Sequence, residues 1–320
     1  MKEQIQTPDI SIIVPLLNEE GSLTELHELL SDTIEKIQLD AEFIFVDDGS
    51  TDGSFAVIQR LHEKDERIKC LRFRRNYGKS AALAEGFALS RGKYVVTLDA
   101  DLQDDPAEIP DLIARLEEGY DLISGWKKER HDPFIKRHTS KIFNYVTGKM
   151  TGVKLHDMNC GLKIYRREVV QTIHVYGQRH RFLPALARQE GFRIGEKVIK
   201  HRARKYGVTK FGPSRFIAGF LDLITLLFLS RYVKRPLHLF GSLGILSFTL
   251  GTSISAFLAY ERLFHDKYLS NRPLLFLGIV LLIIGTQFIS LGLLGEMMTE
   301  SRSESHKYSI RDRIGFKQKK

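Results

Sequence analysis

The stretch Tyr94-Val95-Val96-Thr97-Leu98-Asp99-Ala100-Asp101-Leu102-Gln103 sets the fold, because an apolar run ends abruptly in carboxylates. Tyr94 to Asp99 is short, β-branched and aromatic, as a buried strand requires. If the chain stays extended past it, residues two apart project to one side, so Asp99, Asp101 and Gln103 converge. Two carboxylates and an amide oxygen form a hard-oxygen set suited to Mg²⁺ or Mn²⁺, with phosphate oxygens and water completing the shell. Neighbouring carboxylates at the end of a buried strand, with Pro106 soon after, repel one another unless a cation is present.

Three further runs of the same character precede this one: Ile10 to Pro15, Glu42 to Asp47 and Ile68 to Phe73. Helical patterns separate them, over about Leu23 to Ile37, Phe55 to Lys64, Ser80 to Ser90 and Ile109 to Glu118. Ser22 followed by Glu25 reads as a capping box opening the first helix. Strand–helix alternation of this period implies an α/β fold with a doubly wound, mostly parallel sheet. Ligands of such sheets lie beyond the carboxyl ends of the strands. That rule selects Asn18-Glu19-Glu20, Asp47-Asp48-Gly49-Ser50 and Asp99-Ala100-Asp101. The Asp47–Gly53 run supplies glycines for a tight turn and carboxylates that can accept hydrogen bonds from a ribose or base; alternatively it is a turn followed by a helix cap. Arg74-Arg75-Asn76-Tyr77-Gly78-Lys79 is basic where the other strand ends are acidic. It positions a nucleotide or the preceding loop, or is a surface turn. No GxGxxG opens the first helix and no Walker lysine motif is present, so nicotinamide, flavin and P-loop chemistry are excluded.

The 320 residues carry a formal net charge of +9. Basic residues crowd Arg193 to Arg235, among them Lys200, Arg202, Arg204, Lys205, Lys210, Arg231, Lys234 and Arg235, and return between Arg302 and Lys320. Both runs flank apolar segments, and no nucleic-acid motif accompanies them. They read as contacts for anionic lipid rather than nucleic acid. Leu237 to Tyr260 and Pro273 to Gly295 contain no Asp, Glu, Lys or Arg. Each exceeds the roughly 20 residues needed to cross a hydrocarbon core of about 30 Å. With the polar link Glu261 to Arg272 they form a transmembrane hairpin. The positive-inside rule puts the catalytic half and both termini in the cytoplasm. Between the halves, Phe216, Ile217, Phe220, Leu223, Ile224, Leu227 and Phe228 recur at helical spacing. They mark an interfacial helix or an amphipathic helix packed on the first half. The resulting division is a catalytic domain over 1–210, interfacial helices over 211–235, the hairpin over 236–296 and a basic tail over 297–320. Gly241, Gly244, Gly251 and Ser255 permit close helix packing, and with it a homo-oligomer. Two cysteines, Cys70 and Cys160, make no disulfide framework or zinc motif and fit a reducing compartment. His138, His156, His174, His180 and His201 lack metal-ligand spacing and read as surface or structural, and Trp126 reads as packing.

Taken together the motifs resemble family 2 glycosyltransferases of the GT-A fold, within them the polyprenyl-phosphate branch. The resemblance rests on Val14-Pro15-Leu16-Leu17-Asn18-Glu19-Glu20, Asp47-Asp48-Gly49-Ser50-Thr51-Asp52, Asp99-Ala100-Asp101-Leu102-Gln103, Asp157-Met158-Asn159-Cys160-Gly161-Leu162-Lys163 and His180-Arg181-Phe182-Leu183-Pro184, and it continues into the hairpin. It implies metal-dependent transfer of one sugar from a nucleotide-sugar to a polyprenyl phosphate at the membrane. By that resemblance Pro15, Leu17, Glu19, Val46, Asp48 and Ala100 contact the donor, and Asp99, Asp101 and Gln103 hold the metal. Arg204 and Lys210 belong to a loop closing over the donor, while Lys127 and Arg137 face donor and lipid phosphate. Asp157 is the remaining carboxylate, orienting the acceptor, pairing an arginine or stabilising charge on the sugar; a capping aspartate is its bland alternative. Leu17, Thr209, Phe211 and Lys127 depart from the family's usual Tyr, Ser, Tyr and Arg. The two-helix hairpin suggests glucose from UDP-glucose, with mannose from GDP-mannose or a modified arabinose as alternatives. A processive polysaccharide synthase lacks support, since the only tryptophan, Trp126, is not in a QxxRW motif. A non-catalytic nucleotide-binding scaffold is the rival of another class.

Overall fold

The computed structural model describes residues 7–128, 147–148, 152–175, 179–200, 202, 236–266, 268 and 273–303. The chain divides into two compact units, Met1–Asp222 and Leu223–Lys320.

The first unit is built on a seven-stranded sheet ordered β3-β2-β1-β4-β6-β5-β7. Its strands are β1 (Ile10–Leu16), β2 (Ala41–Asp47), β3 (Ile68–Arg72), β4 (Tyr94–Thr97), β5 (Leu122–Lys127), β6 (Lys163–Arg166) and β7 (Ile194–Ile199). β1 is buried along its whole length because both faces of the sheet are covered. Alternation then sorts its side chains. Ile10, Ile12, Val14 and Leu16 face a core shared with α1 (Leu23–Ile37), α2 (Ser54–Lys64) and α4 (Ile109–Glu117). Ile13 points the other way, joining Ile44, Val46 and Val95 against α3 (Lys79–Leu89), α5 (Arg167–Thr172) and α6 (Leu183–Gln189).

The four strands and four helices read from the sequence are all present, with ends shifted by a residue or two. Two expectations fail. β4 stops at Thr97, and the chain then turns through Ala100 and Asp101, with Leu102 in a left-handed conformation (φ 60°). The extended path expected to project Asp99, Asp101 and Gln103 to one side is therefore absent. The expected capping box is also missing: Ser22 makes no side-chain cap bond, and its hydroxyl donates to the Glu19 carbonyl instead, at 3.0 Å.

β5, β6 and β7 extend the sheet beyond the strands read from sequence. β6 runs antiparallel to both β4 and β5, while the other neighbours pair in parallel. Because Lys163, the first residue of β6, pairs with Thr97, the last of β4, the Asp157–Leu162 segment arrives at the same sheet edge as the β4 carboxylates.

The second unit contains two long helices, α7 (Pro236–His265) and α8 (Pro273–Ser303). Both are long and apolar enough to cross a membrane. They pack on each other through glycines: a Cβ on Gly244 would lie 2.8 Å from the Gly285 carbonyl, and one on Gly251 would lie 2.8 Å from the Gly278 carbonyl. Gly244 and Gly251, read from sequence as permitting close helix packing, serve the contact between the two helices. Their outward side chains, such as Ile245, Leu246 and Phe276, are exposed and apolar. The stretch read as an interfacial helix, 211–235, and most of the tail lie outside the described residues.

Candidate active site

The loops after β1 and β2 form one floor. Ser50 Oγ accepts from the Asn18 amide at 2.9 Å, Asn18 Oδ1 accepts from the Thr51 amide at 2.8 Å, and Ser54 Oγ accepts from the Glu19 amide at 2.9 Å. Glu20 Oε2 accepts from the Gly53 amide at 3.0 Å. Asp47 is fully buried beneath them, accepting from the Ser50 amide at 2.8 Å, with the Arg72 guanidinium 3.3 Å away. Asp48 bridges outward, and its two oxygens accept from the Tyr77 and Gly78 amides at 2.7 and 2.9 Å. The basic run after β3 is thus pinned by the preceding acidic loop. Gly49 makes this approach feasible, since its φ is +78° and a Cβ there would lie 2.6 Å from the Arg75 backbone.

Pinning that run fixes the start of α3, and Lys79, its first residue, pairs with Asp99 Oδ1. Asp99 Oδ2 points elsewhere. It converges with Asp104 Oδ2 above Gly161, where an added Cβ would lie 2.7 and 2.8 Å from the two oxygens. Asp104 is fully buried and paired with Lys127 Nζ through its other oxygen at 2.6 Å, while Oδ2 finds no hydrogen-bond partner among the described residues. Burial alone would raise the Asp99 carboxyl, but the ammonium groups of Lys79, Lys127 and Lys163 outweigh it and hold the group below the usual carboxylate range. Burial likewise opposes the charge on Lys127, yet Asp104 and Asp99 keep its pKa above that of a free lysine. Lys163 differs. Burial wins there and lowers it, even though it donates to the Cys160 carbonyl.

A small cleft opens between these groups, lined by Pro15, Lys79, Asp99, Asn159, Lys163 and His180, among others. His180 is fixed from two sides: its amide donates to Ser80 Oγ at 3.0 Å, and its Nδ1 lies 2.9 Å from the same oxygen. Burial, helped by Lys79 and Arg181, lowers its pKa to about 3, so the ring is neutral.

The edge of the sheet thus gathers Pro15, Asp48, Asp99, Lys127 and Asp157 from five different segments. Asp157 is buried, and its carbonyl accepts from Ser124 Oγ at 3.3 Å. Asp101 Oδ1 accepts from the Gln103 amide at 3.2 Å, closing its own turn, and the Gln103 carbonyl accepts from the Arg202 amide at 2.9 Å. Among the described residues no group of three or more His, Cys, Asp or Glu side chains is drawn to metal-binding distance. Val46 and Ala100 are buried in the two cores, so their side chains face packing. Leu17 and Glu19 are half-buried on the floor. Arg137, Arg204 and Lys210 lie outside the described residues.

Lys79, Asp104, Lys163 and His180 were not singled out from the sequence as site residues. The last two stand inside quoted motifs, and Lys79 ends the basic run. Only the antiparallel return of β6, invisible to a reading by strand–helix alternation, shows that they meet. His156, read as surface or structural, stacks on Trp126 with ring centroids 4.0 Å apart and pairs with Glu196 at 2.6 Å. Cys70 and Cys160 are free thiols.

Comparison with known proteins agrees with this geometry. The chain is 37% identical over 304 residues to dodecaprenyl-phosphate galacturonate synthase of Rhizobium johnstonii, covering 93% of this chain and 90% of that protein. It is 32% identical over 313 residues to undecaprenyl-phosphate 4-deoxy-4-formamido-L-arabinose transferase of Proteus mirabilis, covering 96% and 94%. Glucosyl-3-phosphoglycerate synthase of Mycobacterium tuberculosis, solved with Mn²⁺, UDP and phosphoglyceric acid, shares the fold: the TM-score is 0.55 over 70% of this chain and 78% of that one, at 18% identity. Residues 11–174 match the family described as Glycosyl transferase family 2, so the chain belongs to that family and is a glycosyltransferase of the GT-A fold.

Proposed function

We propose that the protein transfers a single sugar from a nucleotide-sugar to a polyprenyl phosphate at the cytoplasmic face of a membrane, inverting the anomeric centre. The observation that carries this is the extent of the likeness to two polyprenyl-phosphate sugar enzymes, which runs through the catalytic unit and both apolar helices. The relatives named for galacturonate and formamido-arabinose give the glucose reading no support. Galacturonate, named for the relative that is 37% identical, stands first and the modified arabinose second.

The carboxylates fit a divalent cation. Two of their oxygens converge on one point above Gly161, and one of these, on buried Asp104, has no hydrogen-bond partner among the described residues. Asp99 and Asp104 supply those oxygens, and Asp101 and Gln103 on the same turn would complete the set; the ion would neutralise charge developing on the leaving diphosphate. The remaining work falls to the chain's own residues. Lys127, and Arg137 with it, would align the acceptor. A phosphate monoester has a second pKa near 6 and is largely dianionic at neutral pH. It is already a nucleophile, so orientation matters more than a strong base. Asp157, buried at the same edge, would hold that alignment or stabilise positive charge on the sugar ring. The Asp48 bonds to Tyr77 and Gly78 keep the donor floor in place.

The test is to incubate the detergent-purified protein with labelled UDP-galacturonate, UDP-glucose, GDP-mannose and a formamido-arabinose donor, with polyprenyl phosphate and Mg²⁺ or Mn²⁺. Labelled lipid from the galacturonate donor is the expected product. Asp101→Ala should reduce transfer by about 10³-fold, and Asp157→Asn should reduce it strongly with folding intact. Near-normal transfer by Asp101→Ala would contradict the metal assignment.

A further inference from the structure

Lys79 and Lys127 each neutralise one of the two carboxylates that converge above Gly161, but the two pairs are built differently. Lys127 is the fixed one: its side chain is 14% exposed and its partner Asp104 is wholly inaccessible. In the Lys79–Asp99 pair the side chains are 35% and 36% exposed. The backbone of Lys79 is anchored, because Asp48 holds the two amides before it and α3 begins at it. Its four-carbon stem is flexible and partly exposed, so the ammonium can leave Asp99 for solvent.

Two adjacent carboxylate oxygens with one lysine fixed behind them need further positive charge whenever no cation is bound. Lys79 supplies it at Asp99, one of the groups proposed above to hold the metal. A divalent ion arriving at Asp99 Oδ2 meets an ammonium already on the other oxygen of the same carboxylate, and the two positive charges repel one another there.

We infer that Lys79 is an exchangeable counter-ion for Asp99, holding the carboxylate while the metal is absent and leaving it when the metal arrives, so that bare divalent ion binds weakly. This rests on the reading of Asp99 as a metal holder. Lys79 acts here as a positioning residue, and its charge is what matters.

The experiment titrates Mn²⁺ into the full-length protein in detergent, without nucleotide, and follows the free ion by electron paramagnetic resonance. K79M and K79Q should bind Mn²⁺ about five-fold more tightly than wild type, the gain from removing one partly exposed competing ion pair. K79R, which keeps the charge, should be no tighter than wild type. In the D99N background the K79M gain should vanish. If D99N weakens binding but K79M and K79Q are no tighter than wild type, the counter-ion inference is overturned and the metal reading survives. If D99N binds as wild type does, the metal reading fails and takes this inference with it. Near-ultraviolet circular dichroism on each variant verifies that the fold is unchanged, and the two lysine substitutions check one another.

Discussion

Gly161 has no side chain because two carboxylates occupy the place that one would take. A methyl there would lie within 3 Å of Asp99 and Asp104 oxygens, and neither can retreat freely. Asp104 is buried against Lys127, and Asp99 is held by Lys79. Gly161→Ala should therefore lower sugar transfer by about 100-fold, the scale of a misplacement near 1 Å, while leaving the thermal transition close to normal. A rate assay beside a melting curve checks it. The Asp104–Lys127 pair behaves differently, because removing one partner leaves a buried charge behind. Asp104→Ala should cost about 3 kcal/mol of stability, and Asp104→Leu combined with Lys127→Met should restore much of it, both measurable by denaturation. His180 adds a pH dependence. Its folded pKa of about 3 lies below the unfolded value near 6.5, so the unfolded chain takes up the proton first. The neutral ring's contribution is complete above pH 6.5 and is lost as the pH falls from there towards 3. Between pH 7 and 5 this amounts to roughly 2 kcal/mol, and His180→Gln should flatten that part of the stability–pH curve.

At the scale of elements, what the sequence revealed depended on how local the signal was. The strand β1 and helices α1 to α4 announce themselves through alternation and helical spacing, and their ends fall where those patterns break. The acidic turn after β4 was legible as chemistry, but its shape was not. Nothing in Leu98 to Gln103 shows that the strand stops at Thr97 or that Leu102 adopts a positive φ. The cleft was the least legible part, since Lys79, Asp99 and Lys163 come from three segments: the antiparallel β4–β6 pairing brings Lys163 to the end of β4, and the Asp48 bonds place the start of α3 with Lys79. The hairpin shows the converse. Its apolar length was plain, yet which partner its glycines serve became clear only from the helix contact. Gly285 sits where a Cβ would lie 2.7 Å from the Phe248 amide nitrogen and 2.9 Å from the Gly244 carbonyl. Gly285→Val should push α7 and α8 apart at a cost of about 2 kcal/mol. Loss of a disulfide between cysteines introduced on the two helices, formed readily in the parent, would report it.

For the molecule as a whole, the charges beside the apolar helices predict its orientation. Arg231, Lys234 and Arg235 precede α7, and Arg302, Lys307, Arg311 and Arg313 accompany or follow the end of α8. The link carries Arg262, Lys267 and Arg272, offset by Glu261 and Asp266. Lys and Arg are retained on the cytoplasmic side, and each basic residue near anionic lipid adds about 1 kcal/mol. The denser flanks should thus face the cytoplasm, which is where a nucleotide-sugar is available to the catalytic unit. Tyr268 in the link is 76% exposed and gives a place to test this. In a variant with Cys70 and Cys160 replaced by serine, Tyr268→Cys should react with a membrane-impermeant maleimide added outside intact cells. A cysteine appended after Lys320 should react only once the membrane is opened. The reverse pattern would put the catalytic unit outside, away from its donor, and the proposed reaction could not then run as described. Labelling of both sites from outside would mean that α7 and α8 do not cross as a pair.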